Sequence, residues 1–168
     1  MLLDLAERVG RRLLASGRRM ASAESCTGGW IAKTMTDVPG SSQWFDCGYV
    51  TYSNGAKMRD IGVSRQTLDA HGAVSEATVR EMAVGALRVS GAHVAVSVSG
   101  VAGPDGGTPA KPVGTVWFAV ASRHSGSDAA DLDGVTTESH KQFFDGDREV
   151  VRRRSVKYAL ELVLQIEA

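Results

Sequence analysis

The order in which hydrophobic patterning changes along the chain is the strongest constraint on its fold. Leu2, Leu5, Ala6, Val9 and Leu13 recur at helical spacing and Ser16-Gly17 supplies a stop, so a first helix spans about 2–16. A short strand is expected at Arg19–Ala23, cut off by the small polar turn Glu24-Ser25-Cys26-Thr27-Gly28-Gly29. Trp30, Ile31, Ala32 and Met35 resume helical character until Pro39-Gly40 ends it. Trp44–Tyr52 is rich in aromatic and β-branched residues and reads as a strand, and Ala56–Ile61 follows as a short helix. An irregular segment closed by His71-Gly72 precedes a helix from Glu76 to Ser90, with Ser75 as its N-cap and Gly91 as its stop. His93–Ser99 is strongly β and leads into the glycine-rich loop Gly100–Gly107. Val113–Ala121 and Thr136–Phe144 are expected to pair as an antiparallel hairpin across the polar loop Ser122–Asp133, for which mobility is expected. Asp145-Gly146-Asp147 caps a last long helix running to about Ile166.

This order, α-β-α-β-α-α-β-β-β-α, contains no linker and no internal repeat, so residues 1–168 are expected to form a single domain. Helices alternating with strands imply a central sheet covered on both faces. The late hairpin makes that sheet mixed, though mostly parallel. The expected fold is therefore α/β, a three-layer α/β/α sandwich.

Charge and composition exclude several functions. Nineteen Lys and Arg balance nineteen Asp and Glu, which argues against a sequence-independent nucleic-acid binder that must neutralise many phosphates. A local pocket for one phosphate stays compatible with that balance. Asp4, Glu7, Arg8, Arg11 and Arg12 interrupt the apolar N-terminal stretch, so neither a signal peptide nor a membrane span is expected. Cys26 and Cys47 form no CxxC spacing and read as reduced thiols of a cytoplasmic protein. His71, His93, His124 and His140 lack metal-ligand spacing, so no metal is expected.

In open α/β sheets, ligands bind at the carboxyl ends of strands. Three loops there carry candidate chemistry. In the first, Ser25 precedes a helix N-terminus, where unpaired backbone N–H groups can hold a phosphate or an oxyanion. Equally, Ser25 or Thr27 can serve only as an N-cap, with Gly28 and Gly29 allowing tight packing. In the second, Tyr52 ends a strand and Lys57 lies five residues on. A lysine amine takes a serine proton only if burial or a neighbouring cation lowers its pKa, and a tyrosine hydroxyl can relay that proton. The plainer alternatives are a solvated lysine and a half-buried strand tyrosine. The third loop holds Gly100, Gly103, Gly106 and Gly107 and can form an anion nest, although it matches neither nucleotide-binding glycine pattern and also reads as a flexible connection. Arg148, near the start of the last helix, is a candidate phosphate contact, whereas Arg152, Arg153 and Arg154 read mostly as a solvated face.

Six segments in this order carry a resemblance: A-E-S-C-T-G-G-W (23–30), G-Y-V-T-Y-S-N-G-A-K (48–57), H-G-A-V-S-E (71–76), S-G-V-A-G-P-D-G-G (99–107), K-P-V-G-T-V-W-F-A (111–119) and G-D-R (146–148). Together they closely resemble the C-terminal domain family of the competence/damage-inducible protein CinA, across essentially the whole chain. The Ser122–Asp133 loop looks longer than is usual there. Stand-alone members of that family are nicotinamide-nucleotide amidohydrolases, so the resemblance implies hydrolysis of the carboxamide of nicotinamide mononucleotide to nicotinate mononucleotide and ammonia. It also implies a serine nucleophile with a lysine and a tyrosine, no metal or other cofactor, a mononucleotide as small-molecule partner, and a homodimer. Carried over residue by residue, the catalytic positions fall on Ser25, Tyr52 and Lys57.

From that mapping, backbone N–H groups around Thr27, Gly28 and Gly29 are expected to hold the oxyanion. Gly103, Gly106 and Arg148 are the candidates for the phosphate, and activity is expected to favour alkaline pH. A non-catalytic nucleotide-binding domain is the competing reading, and an amidase for another carboxamide is a third.

Overall fold

Period-two alternation along the strands decides which helices cover which face of the sheet. The computed structural model describes residues 1–123 and 132–166. Its elements run α1 (Leu2–Ala15), β1 (Met20–Glu24), α2 (Trp30–Thr36), β2 (Phe45–Val50), α3 (Asn54–Ile61), α4 (Arg65–His71), α5 (Glu76–Ser90), β3 (Val94–Gly100), β4 (Thr115–Ser122), β5 (Thr136–Phe143) and α6 (Arg148–Gln165). In β3, Val94, Val96 and Val98 face α1, α2 and α6, joined by Val116, Phe118 and Val120 of β4. The alternate positions Ala95, Ala119 and Ala121 face the other way, with Ala21 and Ala23 of β1. Large residues on one face and alanines on the other leave room for α5 to lie close, through Val79, Met82, Ala86 and Leu87. Each fully buried valine, leucine or phenylalanine of this kind contributes about 1.5–3 kcal/mol.

The strand order is β2-β1-β3-β4-β5. β1 pairs in parallel with β2 and β3, β4 is antiparallel to β3, and β5 is antiparallel to β4. Only β4 therefore runs against the rest. The result is the mixed three-layer α/β/α sandwich expected from the patterning.

Two details differ from the sequence reading. Arg65–His71 is a helix, where an irregular segment was expected; Ser64 caps it by accepting from the Thr67 amide. With Leu68 as its one buried residue, this helix carries no apolar periodicity to reveal it. β4 begins at Thr115, because the Thr115 amide closes a turn onto the Pro112 carbonyl. Residues 124–131, including His124 and most of the expected mobile loop, lie outside the described residues.

Parallel β1, β2 and β3 end at the same edge of the sheet. Their exits are the loop 25–29, the segment 51–53 and the loop 101–114. The three candidate loops of the sequence thus converge.

Candidate active site

Ser25 leaves the end of β1 with its amide donating to the Val98 carbonyl at 3.0 Å, which ties the loop to β3. On the neighbouring side, Ser53 caps α3 by accepting from the Ala56 amide. This cap sets the first turn of α3, from which Lys57 points back under the sheet edge. Lys57 has no exposed surface, and Ser25 is 8% exposed. The Lys57 Nζ lies 3.0 Å from Ser25 Oγ, 2.8 Å from the Thr51 carbonyl and 3.2 Å from the Tyr52 carbonyl. No carboxylate is among these contacts, so burial dominates and lowers the Lys57 pKa to about 8, with Cys26 pushing weakly the other way. Serine and lysine, assigned to one site from motifs, stand in contact.

The turn between them is held by a residue the sequence reading passed over. Glu24 is completely buried. Its Oε2 accepts from Thr27 Oγ1 at 2.7 Å and from the amides of Gly29 and Ile31, each at 3.0 Å. Its Oε1 accepts from the Ala32 amide at 2.8 Å and from Ser22 Oγ at 3.3 Å. The N-terminal amides of α2 thus point at Glu24 and are closed to a ligand. The Gly28 amide is also engaged, donating to the Ser25 carbonyl at 3.1 Å. Of the expected oxyanion donors at 27–29, the structure therefore removes Gly28 and Gly29 and leaves Thr27. Among the described residues, the Thr27 amide has no partner, and the Cys26 amide has none beyond its own thiol. Both glycines are needed for the turn itself, with φ of +61° and +93°.

Arg152 closes the other side of the same turn. Its Nε donates to the Cys26 carbonyl and its Nη2 to the Thr27 carbonyl, each at 3.0 Å. The guanidinium also lies over the Trp30 ring, 5.4 Å from its centroid. Of the three arginines expected mostly on a solvated face, Arg153 and Arg154 are exposed, and Arg152 is the one turned into the site. It sits four residues after Arg148, one turn along the same helix face, and that spacing is the signal that pairs them.

Tyr52 contributes two different groups to the site. Its carbonyl contacts Lys57, whereas its ring is largely exposed and its hydroxyl accepts from Arg148 Nη2 at 3.2 Å. The hydroxyl is thus directed to Arg148 and not between Ser25 and Lys57. Arg148 also donates through Nη1 to the Gly103 carbonyl at 2.7 Å, which joins the loop after β3 to the site. Gly106 lies farther along that loop and is exposed. Burial pushes the Cys26 thiol up to about 12, which leaves it protonated and unreactive beside the serine. Among the described residues, no group of three or more His, Cys, Asp or Glu is placed to hold a metal ion.

A serine hydroxyl against a buried, carboxylate-free lysine amine, at the strand ends of a three-layer sandwich, defines a class of α/β proteins built around a serine–lysine pair. Within that class, the chain belongs to the CinA C-terminal domain family, whose model matches residues 2–166. It is 52% identical over 164 residues to the nicotinamide-nucleotide amidohydrolase PncC of Escherichia coli strain K12, covering 98% of this chain and 93% of that protein. A CinA-like protein of Chlorobium phaeobacteroides is 48% identical over 161 residues, which span 96% of this chain but 37% of that longer one. The crystal structure of the competence/damage inducible protein CihA from Agrobacterium tumefaciens superposes with a TM-score of 0.88 at 40% identity, covering 97% of this chain and 93% of the other. Among the described residues, no helix is long and apolar enough to cross a membrane.

Proposed function

We propose that this chain hydrolyses the carboxamide of nicotinamide mononucleotide, giving nicotinate mononucleotide and ammonia, with Ser25 as nucleophile and Lys57 as base. The contact between Lys57 Nζ and Ser25 Oγ carries the reading of the chemistry. The substrate rests on the near full-length identity to an amidohydrolase named for it. A neutral amine has two N–H groups and one lone pair. The carbonyls of Thr51 and Tyr52 match the two N–H groups, so the lone pair faces the Ser25 hydroxyl and accepts its proton.

Ser25 Oγ then attacks the carboxamide carbon as Lys57 takes the proton. The resulting oxyanion is received by the amides of Thr27 and Cys26, each such donor contributing about 2.7–4 kcal/mol to lowering the barrier. Collapse breaks the C–N bond, and Lys57 returns the proton to the leaving ammonia. Water, deprotonated by the same amine, cleaves the acyl-enzyme and regenerates Ser25. Tyr52 Oη and Arg148 lie on the outer side of the site and bind the phosphate-bearing end of the substrate, together with the loop containing Gly103 and Gly106. A cytoplasmic homodimer completes the reading; both cysteines are free thiols, which accords with a reducing compartment.

Ammonia release from nicotinamide mononucleotide is the test. Wild-type protein is expected to release it and Ser25→Ala to release none above background. Absence of release by the wild type defeats the substrate assignment, and equal release by both defeats the role of Ser25.

A further inference from the structure

The turn that carries Ser25 has nearly all its backbone groups engaged, and the way they are engaged determines which two remain. From Ser25 to Ala32, the amides of Ser25, Gly28, Gly29, Trp30, Ile31 and Ala32 all donate to named partners. That of Thr27 does not, and that of Cys26 meets only its own thiol. On the carbonyl side, the Cys26 and Thr27 oxygens both accept from one side chain, the guanidinium of Arg152, and the Thr27 oxygen also accepts from the Trp30 amide at 3.2 Å. A trans peptide is planar, with its C=O and the following N–H pointing in opposite directions. A Cys26 carbonyl fixed on Arg152 of α6 therefore turns the Thr27 amide away from the α6 layer. Lys57 belongs to α3, on the opposite face of the sheet.

We infer that Arg152 is a positioning residue for the reaction: it orients the Cys26–Thr27 peptide so that the Thr27 amide is presented as an oxyanion donor. This rests on the serine–lysine mechanism proposed above. Two features make arginine specific for the task. Its fork places two N–H donors in fixed geometry, matching the two successive carbonyls at 3.0 Å each. The Trp30 ring under the guanidinium holds that fork in plane. A lysine offers one charged point and cannot fix both carbonyls. Without the fork the Thr27 carbonyl keeps only the Trp30 amide at 3.2 Å and the Cys26 carbonyl keeps no partner, so the Cys26–Thr27 peptide is free to rotate and its amide leaves the site. Ser25 and Lys57 stay in contact, because Arg152 touches neither.

The test compares wild type with Arg152→Lys and Arg152→Ala through two readouts. The first is steady-state ammonia release from nicotinamide mononucleotide. The second is the rate at which a phenyl-ester acylating reagent modifies Ser25, followed by intact mass with Ser25→Ala as the blank. Both variants are expected to lose about 10-fold or more in kcat with KM within about twofold of wild type, since a lost oxyanion donor costs transition-state and not ground-state stabilisation. Ser25 acylation is expected to slow in parallel, and added guanidinium ion is expected to restore both readouts in Arg152→Ala but not in wild type.

Unchanged kcat and acylation in both variants overturn the inference. So does a loss that appears equally in KM and is not rescued by guanidinium, which marks general disruption. If wild type acylates at Ser25 in an Arg152-dependent way yet releases no ammonia from nicotinamide mononucleotide, the substrate assignment fails and the inference stands. If wild-type Ser25 is neither acylated nor needed for ammonia release, the mechanism and the inference fall together.

Discussion

Lys57 Nζ lies 3.0 Å from Ser25 Oγ at the end of a side chain with no solvent exposure. A lysine buried without a carboxylate partner is costly to protonate, and that cost makes it a base.

The pH dependence follows directly. With a pKa of about 8, roughly a tenth of Lys57 is neutral at pH 7. The rate kcat/KM is expected to rise close to tenfold per pH unit well below 8 and to level off above it, as measured by ammonia release across buffers. Stability shares this origin. The lysine pKa falls from 10.5 in the unfolded chain to about 8 in the folded one. Between those values the unfolded chain binds more protons, so this group makes stability increase as pH rises through the window. Lys57→Met is expected to abolish turnover and to lack that increase in urea unfolding.

Replacement of Glu24 is expected to unfold the turn that carries Ser25. In Glu24→Gln, one oxygen becomes an NH2 group, which must face either the Ala32 amide or the donors from Thr27, Gly29 and Ile31. Donor opposed to donor in a fully buried site is expected to cost about 3 kcal/mol, read as a lowered urea midpoint at unchanged m value.

Tyr52 and Arg148 are expected to act as one unit through their 3.2 Å contact. Tyr52→Phe and Arg148→Met should each raise KM for the mononucleotide by about 3- to 10-fold. The double variant should lose no more than the worse single one, because partners in one contact are not additive. A large fall in kcat for Tyr52→Phe at unchanged KM would instead return its hydroxyl to proton transfer.

A distant glycine is tied to the helix that carries Lys57. A Cβ at Gly85 of α5 would lie 1.8 Å from the carbonyl oxygen of Ile61, the last residue of the helix that carries Lys57. Gly85→Ala is expected to lower stability by about 3 kcal/mol. Displacement of α3 should also reduce kcat in the fraction that stays folded, which ammonia release normalised to folded protein measures.

Much of this protein was determined by its sequence alone. Period-two and helical patterning placed the layers, because a residue's burial follows from which face of an element it occupies. Ser25 and Lys57 were legible through local motifs and through the resemblance those motifs carry. The seven residues of α4 were not, since Leu68 alone faces the core.

Tertiary structure decided the rest. It buried Lys57 and thereby lowered its pKa, it directed the Tyr52 hydroxyl to Arg148, and it closed the α2 amides onto Glu24. It also brought Arg152 to the Cys26 carbonyl across 126 residues of sequence. A local pattern records where the chain turns and which side chains avoid water. Which backbone groups of a turn remain open to a substrate depends on partners that only the folded chain supplies.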